Sequence, residues 1–259
     1  MRTHLVGQAE VIVADSERHA GELAAEELAS VLRQRVSQAG KASVILATGN
    51  SQVAFIRALR QRSDLQWGQV TVFHMDEYIG LPPEHPANFR RILRDGLLDQ
   101  VRPAAFHEID GNATDLEAEM QRYGQLLDEA SPVACVLGIG ENCHLAFNDP
   151  PADFTAAEPL RDVRLARAAR DQQVGEGHFR DITEVPQRAL TLTIPVLLRP
   201  ERILAIVPEA RKARAVQSAL EGPISPDCPA SILRQTSGVT IYLDPDSSSL
   251  LDLTAKASA

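Results

Sequence analysis

The 259-residue chain reads as an α/β fold in three layers, a mostly parallel sheet with helices on both faces. Two observations predict it. Short apolar runs of four to six residues alternate with longer runs at helical spacing, the pattern of strands buried on both faces and separated by helices. No Gly/Ser linker or internal repeat divides the chain, so residues 1–259 are expected to form a single domain.

The elements follow in order. Glu10 to Ala14 is a strand, and Ser16 to Ser37 a helix with Ser16 as its N-cap and Leu23, Leu28, Val31 and Leu32 near helical spacing. Ala42 to Ala47 is a continuous apolar strand. After Thr48-Gly49-Asn50-Ser51 comes a helix to about Arg62, with Val53, Ile56 and Leu59 on one stripe. Val70 to Phe73 is a strand, then HMDEYIGLPPEHP reads as a loop before a helix over Ala87 to Leu98. A helix over Asp115 to Asp128 leads into the strand Val133 to Leu137. Beyond it lie a strand near Val163, an ill-defined charged stretch over 170–184, and an apolar run Ala189 to Leu198. The strand Ile203 to Val207, the helix Glu209 to Leu220 and the strand Val239 to Leu243 close the pattern.

Composition narrows the function. A net charge of −9 argues against a general nucleic-acid surface. No apolar run approaches the roughly 20 residues that span a bilayer, and the N-terminal stretch lacks the pattern of a signal peptide. Three widely spaced cysteines, Cys135, Cys143 and Cys228, fit neither a disulfide framework nor a metal site. A reducing cytoplasm is the expected compartment.

In a parallel α/β sheet, ligands sit beyond the carboxyl ends of the strands. Four segments share that address. Gly138-Ile-Gly-Glu-Asn-Cys-His-Leu-Ala-Phe-Asn-Asp149 leaves a buried strand through Gly-x-Gly, which lets the backbone approach a ligand closely, and sets His144 five residues before Asp149. Histidine titrates near neutrality and a nearby carboxylate can orient it; the alternative is a glycine-rich turn with a structural histidine. Gly49, Asn50 and Ser51 at a helix start could cradle a phosphate or merely cap the helix. Asp76 and Glu77 end an apolar strand, as a proton-transfer base or as a cap with a solvated neighbour. Lys212 lies in the first turn of a helix, where a bound anion would offset its unfavourable position; otherwise it is half of a surface pair with Arg211. Cys143 beside His144 has the composition of a nucleophile and its base, but adjacent loop residues point apart, and a small structural residue is the preferred reading.

The motifs HMDEYIGLPPEHP, IDGNATDLEAE, GIGENCHLAFNDP and KARAVQSALEG, in this order and spacing, resemble the glucosamine-6-phosphate deaminase/isomerase family over about residues 10–245. That family is related to the 6-phosphogluconolactonases and has a Rossmann-like α/β layer. The resemblance implies conversion of glucosamine 6-phosphate and water to fructose 6-phosphate and ammonia, with no metal or organic cofactor. It implies Asp76 as the base that moves the C2 proton to C1, His144 with Asp149 and Asn142 as the ring-opening group, and a substrate site of Gly49, Asn50, Ser51, Glu77 and Lys212. The partner implied is a small-molecule sugar phosphate, with neither nucleic acid nor membrane, and the family also oligomerises.

The sequence departs from the family's pattern at four places. Asn142 stands where the family has an aspartate, Cys143 where it has glycine, and Asp149 where it has glutamate. The phosphate-binding arginine of the 170s is absent, with His178 and Arg180 the nearest substitutes. Two other functions stay in view: a sugar-phosphate lactonase, set back by NCHLAF around the histidine, and a sugar-phosphate sensor that has lost its ring-opening chemistry.

Overall fold

The computed structural model describes residues 1–252; the last seven residues of the expected domain, 253–259, lie outside the described residues. Strands β1 (Arg2–Val6) and β2 (Ala9–Val13) form a hairpin, followed by α1 (Glu17–Ala39), β3 (Ala42–Leu46) and α2 (Val53–Arg60). Then come β4 (Val70–His74), β5 (Asp76–Tyr78), α3 (Phe89–Leu93), α4 (Asp99–Val101), β6 (Ala105–His107), α5 (Leu116–Ala130) and β7 (Ala134–Leu137). The remainder is β8 (Leu160–Arg164), α6 (Arg167–Gly175), β9 (Arg188–Leu192), α7 (Ile194–Leu197), β10 (Arg202–Val207), α8 (Ala213–Glu221) and β11 (Val239–Leu243).

The main sheet has eight strands in the order β1-β2-β11-β10-β7-β3-β4-β6. Every pairing in it is parallel except β1 with β2. Its two faces bury separate cores. Alternate residues Val44, Leu46, Val72, Val136, Leu204 and Ile206 pack under α1 and α2. The intervening Ile45, Phe73, Cys135, Leu137, Ala205 and Val207 pack against Tyr123 and Leu127 of α5 and Val216 and Leu220 of α8. This alternation produces the three expected layers, because successive strand side chains point to opposite faces. Ser16 accepts from the His19 N–H at the start of α1, as its residue type predicts.

Three local expectations are corrected. HMDEY is not all loop. The chain leaves β4 at His74 and re-enters a second, three-stranded antiparallel sheet as β5, in the order β5-β9-β8. The run Ala189 to Leu198 divides at Thr193 into β9 and α7, and the ill-defined stretch after residue 170 carries most of α6. Propensity missed these because strands of three to five residues with polar members gain their order from cross-strand pairing and not from their own sequence.

The chain moves outward from β3 to β4 and β6, returns to the centre as β7, and moves outward the other way as β10 and β11. The β3/β7 boundary is thus the point where the strand order reverses, and a crevice opens there at the carboxyl ends. Among the described residues no helix is long and apolar enough to cross a membrane.

Candidate functional site

A cleft occupies that crevice, walled by the loops at the carboxyl ends of the parallel strands. All four segments named from the sequence contribute to it: Thr48 to Ser51 after β3, Asp76 after β4, Gly138 to His144 after β7, and Lys212 after β10. Phe89, Ala146 and Phe147 add apolar wall, and Gln172, Gln173 and Glu176 approach from α6 and its end.

The loop after β7 is folded tightly on itself. The Gly140 N–H donates to the His144 carbonyl at 2.9 Å and the Cys143 N–H to the Gly140 carbonyl at 3.0 Å. The Asn148 amide donates to the carbonyls of Leu145 and Leu192, tying the loop to β9. His144 is largely buried, and its Nδ1 lies 2.7 Å from Asn142 Oδ1 and 3.3 Å from Asp149 Oδ1. Both partners are oxygens, so Nδ1 carries the proton and Nε2 is left for the cleft. Asn142 donates its own amide to Asp149 at 2.9 Å, and the Ala166 N–H donates to the other carboxylate oxygen at 2.9 Å. Burial alone would push the Asp149 carboxyl up; the hydrogen bond and charge of His144, with the N–H groups of Asn142 and Ala166, outweigh it and hold the carboxyl below the ordinary aspartate value. Asn142 and Asp149 therefore stand behind the histidine and orient it; neither forms part of the cleft wall.

Two sequence readings of this loop change. The space at Gly140 is filled by the histidine itself: a Cβ there would lie 2.2 Å from His144 Cε1 and 2.3 Å from Nε2. The second glycine of Gly-x-Gly thus lets the imidazole lie against the backbone. Gly140→Ala is expected to push the ring out of line and lower kcat by about 10- to 100-fold; steady-state kinetics with an unchanged fold by circular dichroism checks it. Cys143, in the family's glycine position, holds φ +70°, a left-handed conformation that glycine adopts without penalty. Its thiol is buried and donates to the Ala215 carbonyl at 3.7 Å. A hydrogen bond with Cys228, together with burial, pushes that thiol up, so it is no nucleophile.

Asp76 lies on β5 opposite Thr191 of β9, at the seam between the two sheets, and is 8% exposed. Burial, reinforced by the neighbouring Glu77, raises its carboxyl well above the usual range. Glu77 does not meet the cleft, contrary to its expected place in the substrate site. Successive residues of a strand face opposite ways, and its carboxylate accepts from the N–H groups of Tyr78, Phe89 and Arg90 at 2.9, 3.3 and 3.0 Å. It secures the start of α3, where the Phe89 and Arg90 N–H groups would otherwise lack partners. Burial lifts its carboxyl to about 7 against these hydrogen bonds.

At the far end of the cleft, Gly49 has φ +100° and Lys212 is 2% exposed. Burial pulls the Lys212 ammonium below the ordinary lysine value; Glu176 opposes this and Arg211 adds to it. Neither proposed stand-in for the missing arginine faces the cleft. Arg180 lines a separate depression with Pro82 and Glu184, and His178 Nε2 lies 3.4 Å from Glu176 Oε2. Glu141, next to Asn142 in the chain, turns away from His144 to Arg211 at 3.1 Å.

Two residues not singled out from the sequence also line the cleft. Gln52 is 1% exposed, with neither amide atom hydrogen-bonded among the described residues. A signal existed: Gln52 shares the buried stripe of Phe55, Ile56 and Leu59, where a polar residue is out of place. Glu176 lay in a stretch without periodicity, and nothing in the sequence marked it.

The chain matches the family described as glucosamine-6-phosphate isomerases/6-phosphogluconolactonase over residues 15–242. It is 36% identical to glucosamine-6-phosphate deaminase 1 of Bacillus subtilis strain 168 over 211 residues, 79% of this chain and 86% of that protein. It is 34% identical to the glucosamine-6-phosphate deaminase of Exiguobacterium sibiricum, over 90% of this chain and 92% of the relative. A solved monomeric glucosamine-6-phosphate deaminase superposes with a TM-score of 0.85 at 32% identity, covering 93% of this chain and 99% of the other. The 6-phosphogluconolactonase of Trypanosoma brucei shares the fold, with a TM-score of 0.76 at 16% identity over 96% of this chain and all of the other.

Proposed function

The chain belongs to the glucosamine-6-phosphate isomerase/6-phosphogluconolactonase family, and within it we propose a cytoplasmic glucosamine-6-phosphate deaminase that forms fructose 6-phosphate and ammonia. The convergence of Asp76, His144 and Lys212 on one cleft carries this reading. An aldose–ketose shift needs a carboxylate beside C1 and C2, a proton carrier at the ring oxygen, and an anchor on the distant phosphate.

His144 Nε2, with Nδ1 held by Asn142 and Asp149, takes the proton of the C1 hydroxyl and passes it to the ring oxygen, opening the pyranose. Asp76 then removes the C2 proton as the C1 oxygen gains one, giving an enolamine; it returns its proton to C1 while the amine gives one up, leaving a C2 imine. Water adds to that carbon and ammonia leaves. The raised proton affinity of Asp76 suits a base that must hold a carbon-derived proton between two steps. Lys212 and the Gly49-Asn50-Ser51 turn bind the phosphate, and the unpaired Gln52 amide meets a substrate oxygen. No step requires a metal or organic cofactor.

The test is ammonia release across a panel of hexosamine 6-phosphates; no ammonia from any of them overturns the reading. Lys212→Met keeps the buried stem and removes the charge. It is expected to raise KM for glucosamine 6-phosphate about 10- to 100-fold, the worth of one charge-assisted hydrogen bond, and initial-rate kinetics measures it.

A further inference from the structure

The proposed phosphate cradle already holds an anion of the protein's own. The Glu176 carboxylate is 4% exposed and lies where a Cβ on Gly49 would meet its Oε2 at 3.8 Å. Its backbone carbonyl accepts from the Asn50 amide at 3.2 Å, so the segment is fastened to the same turn. Gln172 Nε2 and an Arg211 nitrogen donate to Oε1 at 2.8 and 3.0 Å, and His178 Nε2 lies 3.4 Å from Oε2. Burial would raise this carboxyl, but His178, the charge of Lys212, Gln172 and Arg211 bring it down to about 2, so it is ionised at any physiological pH. Arg211 is taken up further by Glu209 and Glu141. Arg211 is therefore matched by internal carboxylates before any ligand enters, and Glu176 shares the cleft lining with Lys212.

We propose that Glu176 sets the phosphate affinity of the cleft: its carboxylate is an internal anion on the lining it shares with Lys212, which the sugar's phosphate must displace in order to bind. The proposal rests on the deaminase reading only in naming that ligand. Two like charges confined at one end of a poorly solvated cleft repel strongly, so the fixed carboxylate weakens every phosphate ligand of this site. Glycines on both sides, Gly175 and Gly177 with φ +81° at the second, give the residue a backbone that can swing the carboxylate aside.

Inorganic phosphate titrated by calorimetry into the wild type and Glu176→Gln is the direct probe. The amide keeps the shape and the Gln172 contact while removing the charge. Phosphate binding at least tenfold tighter in the variant is expected, and an equal or weaker Kd overturns the proposal. With glucosamine 6-phosphate the same variant lowers KM by more than it changes kcat, a split that loss of structure alone would not produce. Should the variant fail to fold, a crystal structure of the unmodified protein in phosphate decides. Glu176 withdrawn from Gly49 supports displacement; phosphate bound with Glu176 still in place refutes it. The titration needs no turnover, so an absence of ammonia release removes the deaminase reading and leaves this test legible, and an unchanged Kd does the reverse.

Discussion

Asp76→Asn should abolish turnover while stabilising the protein. The carboxylate is buried at the sheet seam and faces the cleft. An amide of the same shape cannot accept the C2 proton, so kcat falls about 10²- to 10⁴-fold, the contribution of a positioned general base, and KM changes little. The stability effect has the opposite sign. Burial and Glu77 raise the folded carboxyl above its unfolded value of about 3.9. The folded state therefore holds the proton more tightly, and stability declines as pH rises from the unfolded pKa through the folded one. At pH 7 the wild type carries that penalty and the amide does not, so Tm rises in the variant, with the gain vanishing below about pH 3.9. A Tm that falls at pH 7, or ammonia release near the wild-type rate, contradicts the assignment. The same shift places the acid limb of the wild-type rate profile above the ordinary aspartate range.

The second large effect is expected from His144→Phe. Phenylalanine fills the space over Gly140 but carries no proton, so ring opening loses its carrier and kcat falls about 10²- to 10³-fold. Asp149 reports the change independently. Its folded carboxyl is depressed, in part through His144; a depressed carboxyl contributes stability above its unfolded pKa and loses it as pH falls through the folded one. Removing the imidazole withdraws part of that contribution, so Tm should drop at pH 7 and approach the wild type in acid. Differential scanning calorimetry at pH 7 and pH 3 separates this from a general packing defect, which would lower Tm at both.

The place of the site was legible because it depends on strand direction. Buried runs such as Ala42 to Leu46 and Ala134 to Leu137 identify a parallel sheet, and a parallel sheet opens its crevice at the carboxyl ends. Asp76, His144 and Lys212 could therefore be brought together before any coordinates. The expected place of Glu77 in the substrate site fails, because Asp-Glu at a strand end gives two equivalent carboxylates until pairing with β9 decides which one faces the cleft. Asn142 and Asp149 lie against His144, and their position behind the ring follows from the turn that brings Asn142 Nδ2 to Asp149 Oδ1.

Local sequence determined the alternation of strands and helices, the caps, and the motifs that identify the family, since each depends on neighbours within a few residues. Tertiary structure alone decided that β5 leaves the main sheet, that Gly140 makes room for an imidazole, and that Glu176 lines the cleft beside the Gly49 turn. Each of these depends on which of two available surfaces a group is pressed against. That choice is made by contacts such as the Asn50 amide with the Glu176 carbonyl, 126 positions apart, which leave no trace in the periodicity of either segment.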